Sequence, residues 1–567
     1  MPKSLAKNFL AWFSDIGWVV ISCLVPLIVL LVDLLKHFSN LSSNLAMRIM
    51  GARLMVGGEV LYADFWDWTQ PCVFYGLRQL LLINQSVTPL VDAFRSIGWQ
   101  GMAEFLALLQ IPEVFILLVI LFSFVCSIVL AGTIAFFASG QERKIDNSSG
   151  LYLIAASVSA LTVRHDFGDL QFLLLVGLIP WIILRYVRYT SSASVPLWLS
   201  ILTGIIAGSS ACIEITFLPL YLLLEVAFLG QTKKWRALLQ PESIGLLLMP
   251  ALYLCSLLTA SESFKMYFWK WTMPLRLLQY SVDNESIFSP ISTPRRTDVL
   301  YAALIALSGA ALFARNNALV SVLGALLLSG IYLFWLEGEG YSHDLILAIF
   351  ASTAIGVYCL EIVFKKLIQK LRESGAAFLP GPLMSKAGLV AATVLATVVA
   401  FMLVQRDRSL LMYEDYRLAT EGKISINQTI RENSRPGDRV AVVADYNEAG
   451  YPDLLALDRR PGLYLLSFRA LRLFDWLKEH ERLDGDFKTF YQYIYEELRA
   501  GINSGTTNLI IVSDAWDSQI FEKEKITELL DRFYEHKDGV VFFDSYQNSL
   551  PHEYVGLEWG FNVYKVK

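Results

Sequence analysis

Uncharged apolar stretches recur at residues 16–32, 114–137, 150–163, 170–184, 195–213, 215–230, 244–260, 299–314, 318–336, 345–363 and 387–404. A helix that crosses a bilayer needs roughly 20 mostly apolar residues. The longer stretches meet that length, and the shorter ones do so by drawing in flanking residues or lying where the bilayer thins. The pattern therefore predicts a polytopic α-helical membrane protein of about eleven transmembrane helices over residues 1–404. Beyond residue 405 the apolar runs shorten and charges return, as in the Glu-Asp-Tyr-Arg run at 414–417. Residues 439–444, 508–513, 539–544 and 561–566 have strand character, whereas 411–433, 486–501 and 518–536 have helical spacing. A C-terminal α/β domain at 405–567 is predicted, with Asp445 and Tyr446 at the end of its first strand.

Composition agrees with the membrane class: 55% of residues are hydrophobic and 17% charged. A net charge of −5 and a pI near 5.8 supply no basic excess for a phosphate backbone, so nucleic acid is excluded as a partner. Cys23, Cys126, Cys212, Cys255 and Cys359 lie in apolar runs and only Cys72 in a polar one, which gives no disulfide framework and no CxxC metal site. Lys3 and Lys7 precede an apolar run longer than a signal-peptide core and without a small-residue cleavage site, as in a retained signal anchor.

Charge asymmetry then orients the chain. With the N-terminus in the cytoplasm, Lys3, Lys7, Arg143, Lys144, Arg185, Arg188, Lys233, Lys234, Arg236, Arg315, Lys365, Lys366, Lys370, Arg372 and Lys386 fall inside. Only Arg164, Lys265, Lys270, Arg276, Arg295 and Arg296 occupy the short outer loops. The outer face is thereby expected to carry a long first loop at 35–111, a second at 261–297, and the C-terminal domain. The inner loops are short and basic and display no candidate chemistry, which argues against cytosolic nucleotide-sugars as substrates.

In the first outer loop, Gly57 and Gly58 lead into Tyr62-Ala63-Asp64-Phe65-Trp66-Asp67-Trp68. Asp64 and Asp67 can serve one reaction centre, and the flanking aromatics suit either a membrane interface or a sugar-stacking platform. Arg164, His165, Asp166 and Asp169 cluster between two short apolar runs; ionisable groups at a membrane boundary belong in a wet cavity or in a neutralised turn. Glu214, near another turn, is expected to be paired or to face a cavity. In the second outer loop Lys265, Lys270 and Arg276 alternate with Phe264, Tyr267, Phe268, Trp269 and Trp271, as in a helix lying in the interface. Anionic headgroups explain that pattern, and a lipid-linked phosphate held by Lys270 or Arg276 is the sharper alternative.

Three of these segments resemble motifs of the GT-C superfamily of polytopic glycosyltransferases, in the bacterial branch similar to protein O-mannosyltransferases and the lipid A aminoarabinose transferase. They are Ala52-Arg53-Leu54-Met55 followed by Gly57-Gly58 and Tyr62-x-Asp64-Phe65; Arg164-His165-Asp166-Phe167-Gly168-Asp169-Leu170; and Gly340-Tyr341-Ser342-His343. The resemblance spans roughly residues 1–450 and implies transfer of a hexosyl or pentosyl group from a polyprenyl-phosphate donor to an exoplasmic glycan, lipid or protein, with inversion at the anomeric carbon. It further implies an Asp general base, with Asp64 preferred to Asp67, and a donor phosphate or acceptor held among Arg164, His165, Asp166, Asp169, Lys270, Arg276 and His343. The acid that relatives carry soon after the first span is missing: this chain has Ser39, Asn40, Ser43 and Asn44 there, and an amide cannot accept a proton as a carboxylate does.

A divalent cation between carboxylates is compatible with this chemistry, yet no metal-ligand spacing requires one, and no metal or cofactor is expected. The rival readings are a polytopic transporter, against which the absence of an internal repeat speaks, and a non-catalytic scaffold with an exoplasmic sensor domain. Sequons at Asn40, Asn84 and Asn427 lie on the predicted outer side, where glycans at the first two would crowd the site. A bacterial inner membrane, with the C-terminal domain periplasmic or extracellular, is the expected location.

Overall fold

The computed structural model describes residues 43–139, 168–191, 194–214, 216–283, 317–337, 346–373, 426–443, 450–513, 521, 523–541 and 560–567. The described chain is mostly helical. Helices Pro112–Ala135, Leu170–Thr190 and Pro241–Thr259 are long and apolar enough to cross a membrane. Shorter apolar helices occur at Leu197–Ala211, Phe217–Thr232, Ala318–Phe334 and Ile346–Gly356. The spans expected at 16–32, 150–163, 299–314 and 387–404 lie outside the described residues, as do Asp445 and Tyr446.

The chain divides into two compact units. The first draws its described residues from 119–254 and 317–373. Its helices approach closely because glycine replaces side chains where they meet. A Cβ added to Gly245 would stand 2.8 Å from the Gly204 carbonyl carbon, and one on Gly208 would stand 2.7 Å from the Gly245 carbonyl oxygen. Lipid offers no hydrophobic drive for such packing, so close backbone approach and internal polar bonds must supply it.

A buried ionic network joins four helices of this unit. Arg185 is fully buried; it donates through Nε and Nη2 to Glu225 at 2.5 and 2.6 Å, and through Nη1 to Glu242 at 3.0 Å and the Ala237 carbonyl at 2.7 Å. Arg188 donates to Glu242 at 3.2 Å and to Ser200 Oγ at 2.8 Å. Two guanidiniums against two carboxylates leave the cluster neutral, which is the condition for charges to persist in an apolar interior.

The second unit draws its described residues from 43–118, 255–283 and 426–567. Residues 35–111, expected as a loop, are helical over Ser43–Val56, Pro71–Gln85, Val87–Ser96 and Gln100–Leu109. Val73, Phe74, Leu77 and Leu81 supply a buried stripe on the second of these, a helical spacing hidden in the sequence by its shortness. Gly51 lets the first helix approach the second: a Cβ there would meet Phe74 Cε1 at 2.5 Å and Leu466 Cδ1 at 2.9 Å.

In the C-terminal part, strands β1 (Arg439–Val443), β2 (Arg460–Pro461), β3 (Leu509–Ser513), β4 (Tyr534–Val541) and β5 (Gly560–Val566) form one sheet in the order β2-β1-β3-β5-β4. The β2-β1-β3 half is parallel, with Ala441 opposite Ile510; β5 joins β3 antiparallel, with Val563 opposite Ile511. The helix expected at 518–536 covers Ile526–Phe533, after which the chain enters β4 several residues before the predicted strand. β4 is an edge strand, where a polar residue such as Glu535 is tolerated and the apolar signal fades.

Candidate active site

The site is built in the second unit, beginning where helix Ser43–Val56 stops. Gly58 takes φ 100°, the Glu59 N–H bonds the Leu54 carbonyl at 3.0 Å and the Gly58 N–H bonds the Met55 carbonyl at 3.3 Å, a glycine cap that satisfies the helix end. The chain then turns sharply. The Asp64 N–H bonds the Val60 carbonyl at 2.9 Å, while Asp64 Oδ2 accepts from the Val60 N–H at 2.7 Å. Asp64 is exposed, so its carboxylate works as a staple for this turn.

Within the turn Tyr62 is fully buried at φ 70°, a left-handed conformation disfavoured for a bulky L-residue. Such strain persists only where surroundings over-determine it. Here the Tyr62 N–H bonds the Phe65 carbonyl at 2.7 Å, and the Tyr62 carbonyl accepts from the Tyr464 hydroxyl at 2.6 Å. Trp66 forms a parallel β-bridge with Leu465: its N–H bonds the Tyr464 carbonyl at 2.8 Å and its carbonyl accepts from the Leu466 N–H at 3.0 Å. Trp66 Nε1 donates to Thr272 Oγ1 at 3.0 Å. Two stretches far away in sequence, Tyr464–Leu466 and Thr272, therefore hold residues 62–66.

Asp67 follows and is wholly buried. Its Oδ1 accepts from the Thr69 N–H at 2.7 Å, whereas Oδ2, also buried, has no hydrogen-bond partner among the described residues. Burial raises the carboxyl above its ordinary range, against the bonds from Thr69 and the attraction of Arg48 and Arg276. Both arginines are buried, at 6% and 8% exposure. Arg276 Nη1 donates to Gln279 Oε1 at 2.7 Å, and its guanidinium lies 5.4 Å from the Trp68 ring centroid. Burial, followed by the field of Asp67, also raises the Tyr62 and Tyr451 hydroxyls well above their usual range.

The arrangement can hold a proton at Asp67 Oδ2 and can place positive charge beside a developing anion. No group of three or more His, Cys, Asp or Glu able to hold a metal ion occurs among the described residues.

Of the residues singled out in the sequence, Asp67 and Arg276 come together, and Asp64 closes the turn from Val60 that contains Tyr62. Lys270 is exposed in the π-helical turn Met266–Thr272, whose Phe268 and Trp271 are buried and whose Trp271 stacks on Phe490 at 4.8 Å. Residues 262–283 are thus helical, as expected, with Phe268 and Trp271 packed on protein. Asp169 belongs to the first unit, where it caps helix Leu170–Thr190 with Oδ1 accepting from the Leu170 N–H at 2.5 Å. Glu214 is buried there. Arg164, His165, Asp166 and His343 lie outside the described residues. Sequence reasoning missed Arg48, Tyr451 and Tyr464. For Arg48 a signal existed, an arginine within the apolar run Leu45-Ala46-Met47-Arg48-Ile49-Met50; for the tyrosines none did.

No family model matches this sequence, and no curated protein matches it. Some solved structures bear a low-scoring likeness to this chain. One is the oligosaccharyltransferase of Archaeoglobus fulgidus tethered to an acceptor peptide, at 9% identity and a TM-score of 0.43 over 92% of this chain and 72% of that one. Another is ArnT from Cupriavidus metallidurans bound to undecaprenyl phosphate, at 14% identity and a TM-score of 0.40 over 96% of this chain and 98% of that one. Likeness at these values assigns no role to any residue.

Proposed function

We propose that this protein is a membrane glycosyltransferase that moves a sugar from a polyprenyl-phosphate carrier to a hydroxyl-bearing acceptor on the outer face of the membrane, with Asp67 as general base. The observation that carries this reading is the buried Asp67 carboxyl, raised in pKa, with one oxygen uncommitted among the described residues and two buried guanidiniums in its field. A base of this kind has a raised proton affinity and is shielded from water. Asp64, exposed and committed to the Val60 N–H, suits a positioning role better.

In the proposed reaction an acceptor hydroxyl passes its proton to Asp67 Oδ2 as its oxygen bonds the anomeric carbon. The bond from that carbon to the carrier phosphate breaks, and the electron pair leaves on the phosphate oxygen. Arg276 and Arg48 oppose that developing charge without reorganising, because burial already fixes them. Since Asp67 is closed off from solvent, its cover must move before an acceptor reaches it. The carrier class follows from the motif resemblance; the undecaprenyl phosphate bound by ArnT is a carrier of that class.

The C-terminal segment receives a role in the same proposal. Tyr464 and Leu465 brace Tyr62 and Trp66, and so set where Asp67 points. Assay of sugar transfer from radiolabelled polyprenyl-phosphate sugars in membranes, comparing wild type with Asp67→Asn and Asp64→Asn, tests the reading. Loss in the first alone supports it; undiminished transfer with Asp67→Asn rejects Asp67 as base.

A further inference from the structure

In the first unit, helix Phe217–Thr232 ends at Lys233, which adopts the left-handed conformation at φ 55°, and a 3-10 turn at Trp235–Leu239 leads into helix Pro241–Thr259. The turn is pinned from within, because the buried Arg185 donates to the Ala237 carbonyl at 2.7 Å. Its side chains face the other way. Lys233, Lys234 and Arg236 are exposed, Trp235 is 68% exposed and Leu239 is 87% exposed.

Two further features surround this turn. The carboxylates next to it, Glu225 and Glu242, are buried and already engaged by Arg185 and Arg188, so the three exposed cations form no ion pair among the described residues. Arg188 also holds Ser200, which brings the start of helix Leu197–Ala211 and its 61% exposed Trp198 to the same end of this helical group. From that end, helix Pro241–Thr259 presents Ile244, Leu247, Leu248 and Leu252 outward at helical spacing. Apolar side chains, then tryptophans, then uncompensated cations reproduce the order of hydrocarbon, interface and headgroup in a bilayer leaflet.

We propose that the turn at Lys233–Leu239 is a binding site for the headgroups of acidic phospholipids. Water alone does not account for it: an exposed tryptophan and leucine on a rigidly held turn have no role there, whereas in an interface they set its depth and place the cations at phosphate level. This inference is independent of the proposed reaction.

The test uses the full-length protein in nanodiscs of phosphatidylcholine with or without phosphatidylglycerol, with retained lipid read by native mass spectrometry after partial delipidation. Preferential retention of phosphatidylglycerol is expected, falling with ionic strength. The variant K233Q/K234Q/R236Q is expected to lose on the order of fivefold in retention for each cation removed, and K233R/K234R to keep it. Trp235→Phe should remove a component of the tryptophan fluorescence quenched by brominated lipid. Equal retention of both lipids by the wild-type protein, or retention without salt dependence, overturns the proposal without recourse to any variant. Displacement of phosphatidylglycerol by inorganic phosphate well beyond that caused by chloride at equal ionic strength also overturns it, by assigning the cations to a soluble anion.

Discussion

The hydroxyl of Tyr464 donates a 2.6 Å hydrogen bond to the main-chain carbonyl of Tyr62, the one non-glycine residue of the Asp67 loop held at positive φ. A C-terminal side chain thereby reinforces the most strained backbone position beside the buried carboxylate. Tyr464→Phe removes this bond and leaves a buried carbonyl unsatisfied, at a cost of about 1–3 kcal/mol. Transfer is expected to lose kcat with KM nearly unchanged, since the altered group positions the base and touches no substrate. A wild-type kcat in this variant would reject the bracing role.

Asp67→Asn keeps an acceptor for the Thr69 N–H but cannot take a proton, and transfer is expected to fall by roughly 10²–10⁴-fold. Its effect on stability has the opposite sign. Because burial raises the folded pKa of Asp67, its contribution is complete below the unfolded value and is lost as pH rises through the folded one. The asparagine variant should therefore melt higher than wild type near neutral pH and converge with it in acid. A lower melting temperature near neutrality would show that attraction to Arg48 and Arg276 outweighs the desolvation of Asp67.

Asp64→Ala is expected to behave differently. It deletes the acceptor for the Val60 N–H in an exposed turn, for a loss of about 1 kcal/mol. Activity should fall only modestly. If thermal stability were unchanged while transfer vanished, Asp64 would be the base.

Asp453, buried in helix Tyr451–Ala456, has a carboxyl raised to about 6 by burial, against its bond from Asn427 at 2.7 Å and the attraction of Arg431. By the same sign rule its contribution is lost as pH rises from the unfolded value of 3.8 through about 6. Asp453→Asn should flatten the melting temperature across that window and raise it above pH 6 relative to wild type. Parallel wild-type and variant profiles from pH 4 to 7 would contradict this.

Gly204→Val places a branched side chain against the backbone of Glu242, whose carboxylate belongs to the Arg185 network. Forced separation of the two helices should cost at least the 1–3 kcal/mol typical of overpacking. The measurement is thermal unfolding in detergent; unaltered melting would show that these helices do not touch.

Local pattern made much of this architecture legible. The apolar runs at 170–184 and 244–260 coincide with helices of membrane-crossing length, and the strand signals at 439–444, 508–513 and 561–566 mark β1, β3 and β5. Such features depend on residues a few positions apart, and one sequence displays them directly. The acid-bearing loop at 57–71 was recognisable for the same reason: its glycines, acids and aromatics are neighbours in the chain.

Which acid sits in a buried electrostatic site, however, was decided by tertiary structure. Asp64 and Asp67 are three residues apart and chemically identical, and the sequence favoured the first. Solvent exposure and a local hydrogen bond commit Asp64 to its turn, whereas Thr69, Arg48 from helix Ser43–Val56 and Arg276 from helix Met273–Asp283 surround Asp67. The identity of a carboxylate is local, but its desolvation and the charges in its field depend on Arg48 in the preceding helix and on Arg276 far along the chain, and only the folded chain brings them together.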